Sequence, residues 1–125
     1  MYTLAIQRSF IAQLYLTSEW DDQKKLRSIP YKAELMIETE ELDQQGYVVD
    51  FVELGDQFDG VIDEFRDRTL SEHPAFQGRT PSLERFARIL CQKVDEALYA
   101  PNVTAISVKL WQGDAIWAIY DLERA

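Results

Sequence analysis

Apolar side chains recur at every second position through the first sixteen residues. Tyr2, Leu4 and Ile6, then Phe10, Ala12, Leu14 and Leu16, alternate with Thr3, Gln13 and other neighbours. A period of two sends successive side chains to opposite faces of a pleated strand. The spacing therefore predicts one long strand, with a break of rhythm at Gln7 to Ser9 that reads as a bulge. Tyr31 to Thr39 repeats the pattern, with Ala33, Leu35 and Ile37 opposing Lys32, Glu34 and Glu38, and is its partner strand. Ser18 to Pro30 reads as a polar connection between the two.

The period then changes to that of a helix. Asp43-Gln44-Gln45-Gly46 is a turn signal, and Asp50 is placed to cap a helix from Phe51 to about Arg66. Phe51, Leu54, Phe58, Val61, Ile62 and Phe65 make one apolar face of it. Leu70 to Gly78 reads as a loop. Thr80 followed by Pro81 predicts the start of a second helix, striped by Leu83, Phe86, Ala87, Leu90, Val94 and Leu98, which Pro101-Asn102 ends. Val103 to Trp111 and Ala115 to Leu122 return to strands around a Gln112-Gly113-Asp114 turn.

Composition narrows the classes of function. The length of 125 residues fits one domain spanning 1–125 with a substantial core. A net charge of -9 repels phosphate backbones, and the basic run Lys24-Lys25-Arg27 is short and preceded by Asp21 and Asp22, so nucleic-acid binding is not expected. A single cysteine forms no internal disulfide and suits a reducing compartment. With no basic leader and no apolar run near the ~18 residues that a membrane span needs, the expected place is the cytoplasm and no membrane contact is foreseen.

Five ordered fragments carry more information than these totals. They are Phe10-Ile11-Ala12-Gln13-Leu14, Tyr31-Lys32-Ala33-Glu34, Gly46-Tyr47-Val48-Val49-Asp50-Phe51, Pro81-Ser82-Leu83-Glu84-Arg85-Phe86-Ala87 and Val108-Lys109-Leu110-Trp111-Gln112. In order and separation the set resembles the 6-pyruvoyl tetrahydropterin synthase and 6-carboxytetrahydropterin synthase family, whose fragments read roughly FxAxH, HGHxY, GxVxDF, PTxEN and VxVxET. The resemblance covers nearly the whole chain. It implies an α+β tunnelling fold in the order ββααββ: a four-stranded antiparallel sheet carrying two helices on one face. It also implies that three subunits join edge to edge as a barrel and that two trimers stack as a hexamer, which would remove free strand edges. A lone sheet of this kind is expected to leave apolar positions such as Leu35 or Ile119 in water.

The departures from the family bear on function. The resemblance assigns three zinc-binding histidines to the positions of Leu14, Arg27 and Ile29. Zinc takes thiolate, imidazole or carboxylate donors, so none of these three side chains can ligate it, and no metal or other cofactor is expected. The family's catalytic cysteine falls within Trp20 to Leu26, which contains no sulfur, and its Asp-His pair falls on Arg66-Asp67. No catalytic residue is assigned.

Two positions are kept as ligand-binding candidates. The family's pterin-anchoring glutamate stands at Gln112, whose amide offers one acceptor and one donor where a carboxylate offers two acceptors. Such an amide suits a lactam or imide edge better than a guanidine-like one, and related tunnelling-fold enzymes acting on purines use glutamine there. The plainer account is an exposed turn residue before Gly113. Glu84 matches the glutamate of PTxEN, although a carboxylate in the first turn of a helix also answers the helix dipole.

Other residues have plain accounts. Cys91 sits between Leu90 and Val94 and reads as a packed thiol. His73, the chain's only histidine, reads as a solvated loop residue, with a dyad to Asp67 as the sharper option. Trp111 and Trp117 read as packed strand residues. Two functions follow: a noncatalytic binding or assembly protein that holds a planar heterocycle near Gln112, or a pterin-synthase-like lyase that acts without the usual zinc site, built from carboxylates with Arg27 or Lys24.

Overall fold

The computed structural model describes residues 1–18 and 21–124. Two long strands, β1 (Tyr2–Ser18) and β2 (Asp21–Thr39), are followed by helices α1 (Phe51–Asp63) and α2 (Leu83–Ala97) and by strands β3 (Val103–Gln112) and β4 (Ile116–Glu123). The sheet order is β1-β2-β3-β4 and every pair is antiparallel. This is the ββααββ arrangement that the sequence predicts. The 3-10 turns Leu70–Glu72 and Pro74–Phe76 occupy the segment read as a loop.

One face of the sheet carries the core. Phe10, Ala12 and Leu14 on β1, Tyr31, Ala33, Leu35 and Ile37 on β2, and Ile106, Val108 and Leu110 on β3 are buried beneath the helices. Phe86 of α2 sits at the centre of an aromatic group, with ring centroids 5.9 Å from Phe10, 5.2 Å from Tyr31 and 5.1 Å from Phe65. These are edge-on contacts, the favoured geometry for aromatic rings. Leu35 is fully buried here, contrary to the expectation that it would face water; Ile119 on the opposite face is 43% exposed.

The sheet has no bulge at Gln7 to Ser9. The β1–β2 register runs unbroken from Tyr2 opposite Thr39 to Leu16 opposite Lys25, and it shifts only between Leu16 and Ser18. What interrupts the apolar rhythm is Arg8, a polar residue on the helix-facing side. Its Nε donates to Asp59 Oδ1 at 2.6 Å, and its Nη2 would lie 2.7 Å from a Cβ placed on Gly55. Gly55 is the gap in α1 through which a guanidinium crosses an otherwise apolar layer.

Residues 21–30 are strand rather than connection. Leu14 pairs with Arg27, Tyr15 with Leu26 and Leu16 with Lys25, so β1 and β2 run past the end of β3 as a two-stranded ribbon. Among the described side chains, solvent reaches both faces of most of the ribbon, so no burial pattern marks it in the sequence. Pro30 is tolerated because β3 ends opposite Tyr31; its carbonyl accepts Gly113 N–H at 2.9 Å, and its missing N–H faces only the β3–β4 turn.

The caps follow local chemistry. Asp50 Oδ1 accepts from Val52 N at 2.9 Å and from Glu53 N at 3.4 Å, which starts α1 where the sequence places it. Ser82, not Thr80, caps α2, and its Oγ accepts from Arg85 N at 3.2 Å. Helix α1 ends at Asp63, and the chain then turns so that Asp67 N–H donates to Ile11 O at 2.7 Å and Gln13 N–H to Arg68 O at 2.8 Å. That segment covers part of the outer edge of β1.

Candidate functional site

Alternation along β3 sends Gln112 to the helix side of the sheet, opposite Tyr31 on β2 and Ile116 on β4. There it borders a cleft of about 410 Å³ whose lining includes Leu14 and Leu16 of β1, Lys24 of β2, and Gly78 to Leu83 ahead of α2. The Gln112 amide makes no hydrogen bond among the described residues and is available to a ligand. Lys24 and Arg79 add two cationic side chains to the lining, which contains no carboxylate among the described residues. Gly78, with φ +73, lets the loop turn back over the cleft without the strain a side chain would bring.

The three positions that the resemblance assigns to zinc are brought together on one face. Leu14 lies directly across from Arg27, and Ile29 is two residues further along β2, across from Ala12. Leu14 is buried at 7% exposure, Ile29 is partly buried and Arg27 is exposed. Their backbone spacing suits a shared ligand, yet two are hydrocarbon and one is a cation, so the donor set does not fit zinc. Among the described residues, no three His, Cys, Asp or Glu side chains converge as a metal would need. Trp20 lies outside the described residues.

Glu84 does not reach the cleft lining. It is exposed in the first turn of α2, one residue beyond Leu83 at the rim, and makes no hydrogen bond among the described residues. The residues that sequence reasoning missed are Ser71 and Arg79. Both come from the segment between the helices and reach Gln112 only through the fold. The run Gly78-Arg79-Thr80 is the one local signal of a tight basic loop.

Neither nitrogen of His73 is free for a dyad with Asp67. Nδ1 accepts from Ala75 N at 3.1 Å, Nε2 lies 3.1 Å from Glu64 O, and the ring stacks on Phe65 at 4.4 Å. His73 is thus a structural clamp on the 3-10 turns rather than a solvated residue. Cys91 is fully buried, with Sγ donating to Ile106 O at 3.6 Å. Burial, with Asp95 and Asp121 as nearby negative charges, pushes its thiol up to about 12. Burial also raises the Tyr31 phenol well above its ordinary range. Trp117 does not pack in the core: it is 51% exposed on the open face, where Lys109 Nζ stands 4.1 Å from its ring.

Comparison with known proteins agrees with this architecture. The family profile described as 6-pyruvoyl tetrahydropterin synthase matches residues 3–123. The chain belongs to the 6-pyruvoyl tetrahydropterin synthase family. Among solved structures, the 6-pyruvoyl tetrahydropterin synthase of Plasmodium vivax superposes with a TM-score of 0.78 at 12% identity over 98% of each chain. The Caenorhabditis elegans 6-pyruvoyl tetrahydropterin synthase gives 0.70 at 17% identity over 98% of this chain and 96% of that one. An uncharacterised protein of Wolinella succinogenes gives 0.64 at 17% identity over 95% of this chain and 97% of that one. At these identities the likeness extends to the fold alone. No curated protein sequence matches the chain. Among the described residues, no helix is long and apolar enough to cross a membrane.

Proposed function

We propose that this chain is a noncatalytic binding or assembly module of the tunnelling-fold class, which holds a planar heterocycle at Gln112 and works as a cytoplasmic homo-oligomer, a trimer or hexamer. The observation that carries the reading is the composition of the Gln112 cleft among the described residues: one unpartnered amide, two cations and no carboxylate. Amino-rich rings such as pterins present adjacent donors and need a carboxylate to accept them. A lactam edge presents one donor and one acceptor, which the amide matches, and Lys24 and Arg79 favour further ring carbonyls. Leu14, in the same lining, offers no route to zinc. Glu84, just beyond the rim, is available only to a ligand that extends past Leu83.

A second reading keeps an enzyme. One solved structure of the Plasmodium vivax 6-pyruvoyltetrahydropterin synthase is of a variant in which alanine replaces a catalytic glutamate. A carboxylate therefore serves catalysis in that protein, and Asp21 and Asp22 stand here in the segment to which the resemblance assigns the catalytic cysteine. In that case the chain is a pterin-synthase-like lyase.

Calorimetric titration with a hydroxypurine lactam and with a pterin separates these readings. The binding module takes the lactam more tightly, and Gln112→Glu shifts preference toward the pterin by about 1–3 kcal/mol, the scale of one mismatched buried hydrogen bond. Tight pterin binding by the unaltered chain, with turnover lost in Asp21→Asn or Asp22→Asn, favours the enzyme.

A further inference from the structure

A cleft of about 700 Å³ lies on the opposite face of the sheet from Gln112. Its floor is built from two cross-strand rows: Ile11 opposite Pro30, and Ser9 opposite Lys32, which in turn faces Trp111. Gly113 and Asp114 close one end, and Arg66 and Asp67 close the other, held to β1 by the bond from Asp67 N–H to Ile11 O. Crossing from β3 over β2 and β1 to the Asp67 segment spans three strand spacings, about 14 Å. That is room for one or two rings lying flat.

The charges within it are unevenly engaged. Arg66 Nε is already bound to Asp63 at 3.1 Å. Lys32 Nζ stands 4.2 Å from the Trp111 ring centroid and forms no ion pair among the described residues. Lys109, outside the lining, has its Nζ between the indoles of Trp111 and Trp117, at 4.5 and 4.1 Å. Lys32 is thus the lining cation without an ion pair among the described residues, and it stands on a half-buried indole beside a flat apolar floor. Asp67 and Asp114 lie at the two ends, where they repel multiply charged anions and accept from donor groups.

We propose that this cleft binds a small aromatic carboxylate bearing an amino or hydroxyl donor. Its ring lies on Ile11 and Pro30 against Trp111, its carboxylate accepts from Lys32, and its donor substituent reaches Asp67. The site is independent of Gln112, which the strand alternation places on the other face.

Calorimetric titration with 4-aminobenzoate as the probe tests this on the full chain, alongside aniline and inorganic phosphate. Saturable 4-aminobenzoate binding is expected, with aniline and phosphate each at least about tenfold weaker. Lys32→Met should weaken the probe about tenfold or more, whereas Gln112→Leu should leave it unchanged within about twofold. Lys32 is a partly exposed strand residue, so its variant should keep the wild-type unfolding midpoint, which a parallel melt verifies. The proposal is overturned by absence of saturable binding up to about 10 mM, by equal affinity in Lys32→Met, or by loss of binding in Gln112→Leu. A probe that binds only by dissociating an oligomer would assign the cleft to a second copy of the chain, and overturns it equally.

Discussion

Arg124 and Asp95 join the end of β4 to the last turn of α2. Arg124 Nε donates to Asp95 Oδ1 at 2.8 Å, while its Nη2 donates to the carbonyls of Asp95 at 2.9 Å and Leu98 at 2.8 Å. A guanidinium thus satisfies carbonyls that a helix C-terminus leaves without intrahelical partners, and it complements the negative end of the helix dipole. The group is mostly sheltered, with 18% of the Arg124 side chain exposed. Arg124→Met should therefore cost about 1.5–3 kcal/mol in urea unfolding, the range for charge-assisted hydrogen bonds. A loss below ~0.5 kcal/mol would class the contact with ordinary surface pairs.

Phe86 sits beneath both strands of the long hairpin and against Phe65 and Phe76. Phe86→Ala should destabilise the fold by about 3–5 kcal/mol, transfer and cavity costs together. Denaturant titration of the variant gives the value directly, and a cost under ~1.5 kcal/mol would mean that the aromatic group collapses to fill the space.

Cys91 should resist thiol reagents in the native state. Its protonated form is favoured by burial and by the nearby Asp95 and Asp121 carboxylates, so at pH 8 almost no thiolate exists in the folded chain. Disulfide-exchange labelling should run at least ~100-fold slower than in denaturant. Because the folded value is raised, the contribution of this group to stability is complete below the ordinary thiol range and is lost as pH climbs through it toward about 12. Cys91→Ala should remove that part of the alkaline loss of stability, as seen in urea midpoints measured between pH 8 and pH 11.

Ile119 at 43% and Trp117 at 51% exposure lie on the open sheet face, and β4 presents an unpaired outer edge. Light scattering at micromolar concentration should give three or six times the chain mass of 14.6 kDa. A stable monomer would rule out the barrel.

Much of the fold was legible because local signals agreed with tertiary ones. The stripe from Leu83 to Leu98, the Asp50 cap and the turn at Gly46 each sit where their chemistry requires. Arg8 misled because its partners, Gly55 and Asp59, lie on a distant helix, so a single strand pattern cannot announce them. The ribbon from Asp21 to Pro30 was hidden for the opposite reason: from Lys24 to Pro30 its side chains are mostly in solvent, and it carries no alternation to read. Of the cleft, Gln112 and Leu14 were visible through the ordered fragments. Arg79 and Ser71 were not, since only the packing of the interhelical segment against β1 brings them near. The difference between Thr80 and Ser82 as cap is one that local sequence leaves open, because both are good capping residues beside the same proline.

Leu14, Arg27 and Ile29, which the resemblance sets at zinc-binding positions, are proposed to leave the chain without a zinc site. Metal analysis of protein purified without chelator measures this most directly. The expected result is well under ~0.1 zinc per subunit for the unaltered chain and about one for the triple variant Leu14→His, Arg27→His, Ile29→His, since three imidazoles on one face make a tetrahedral site with an open position. About one tightly held zinc per unaltered subunit would contradict it.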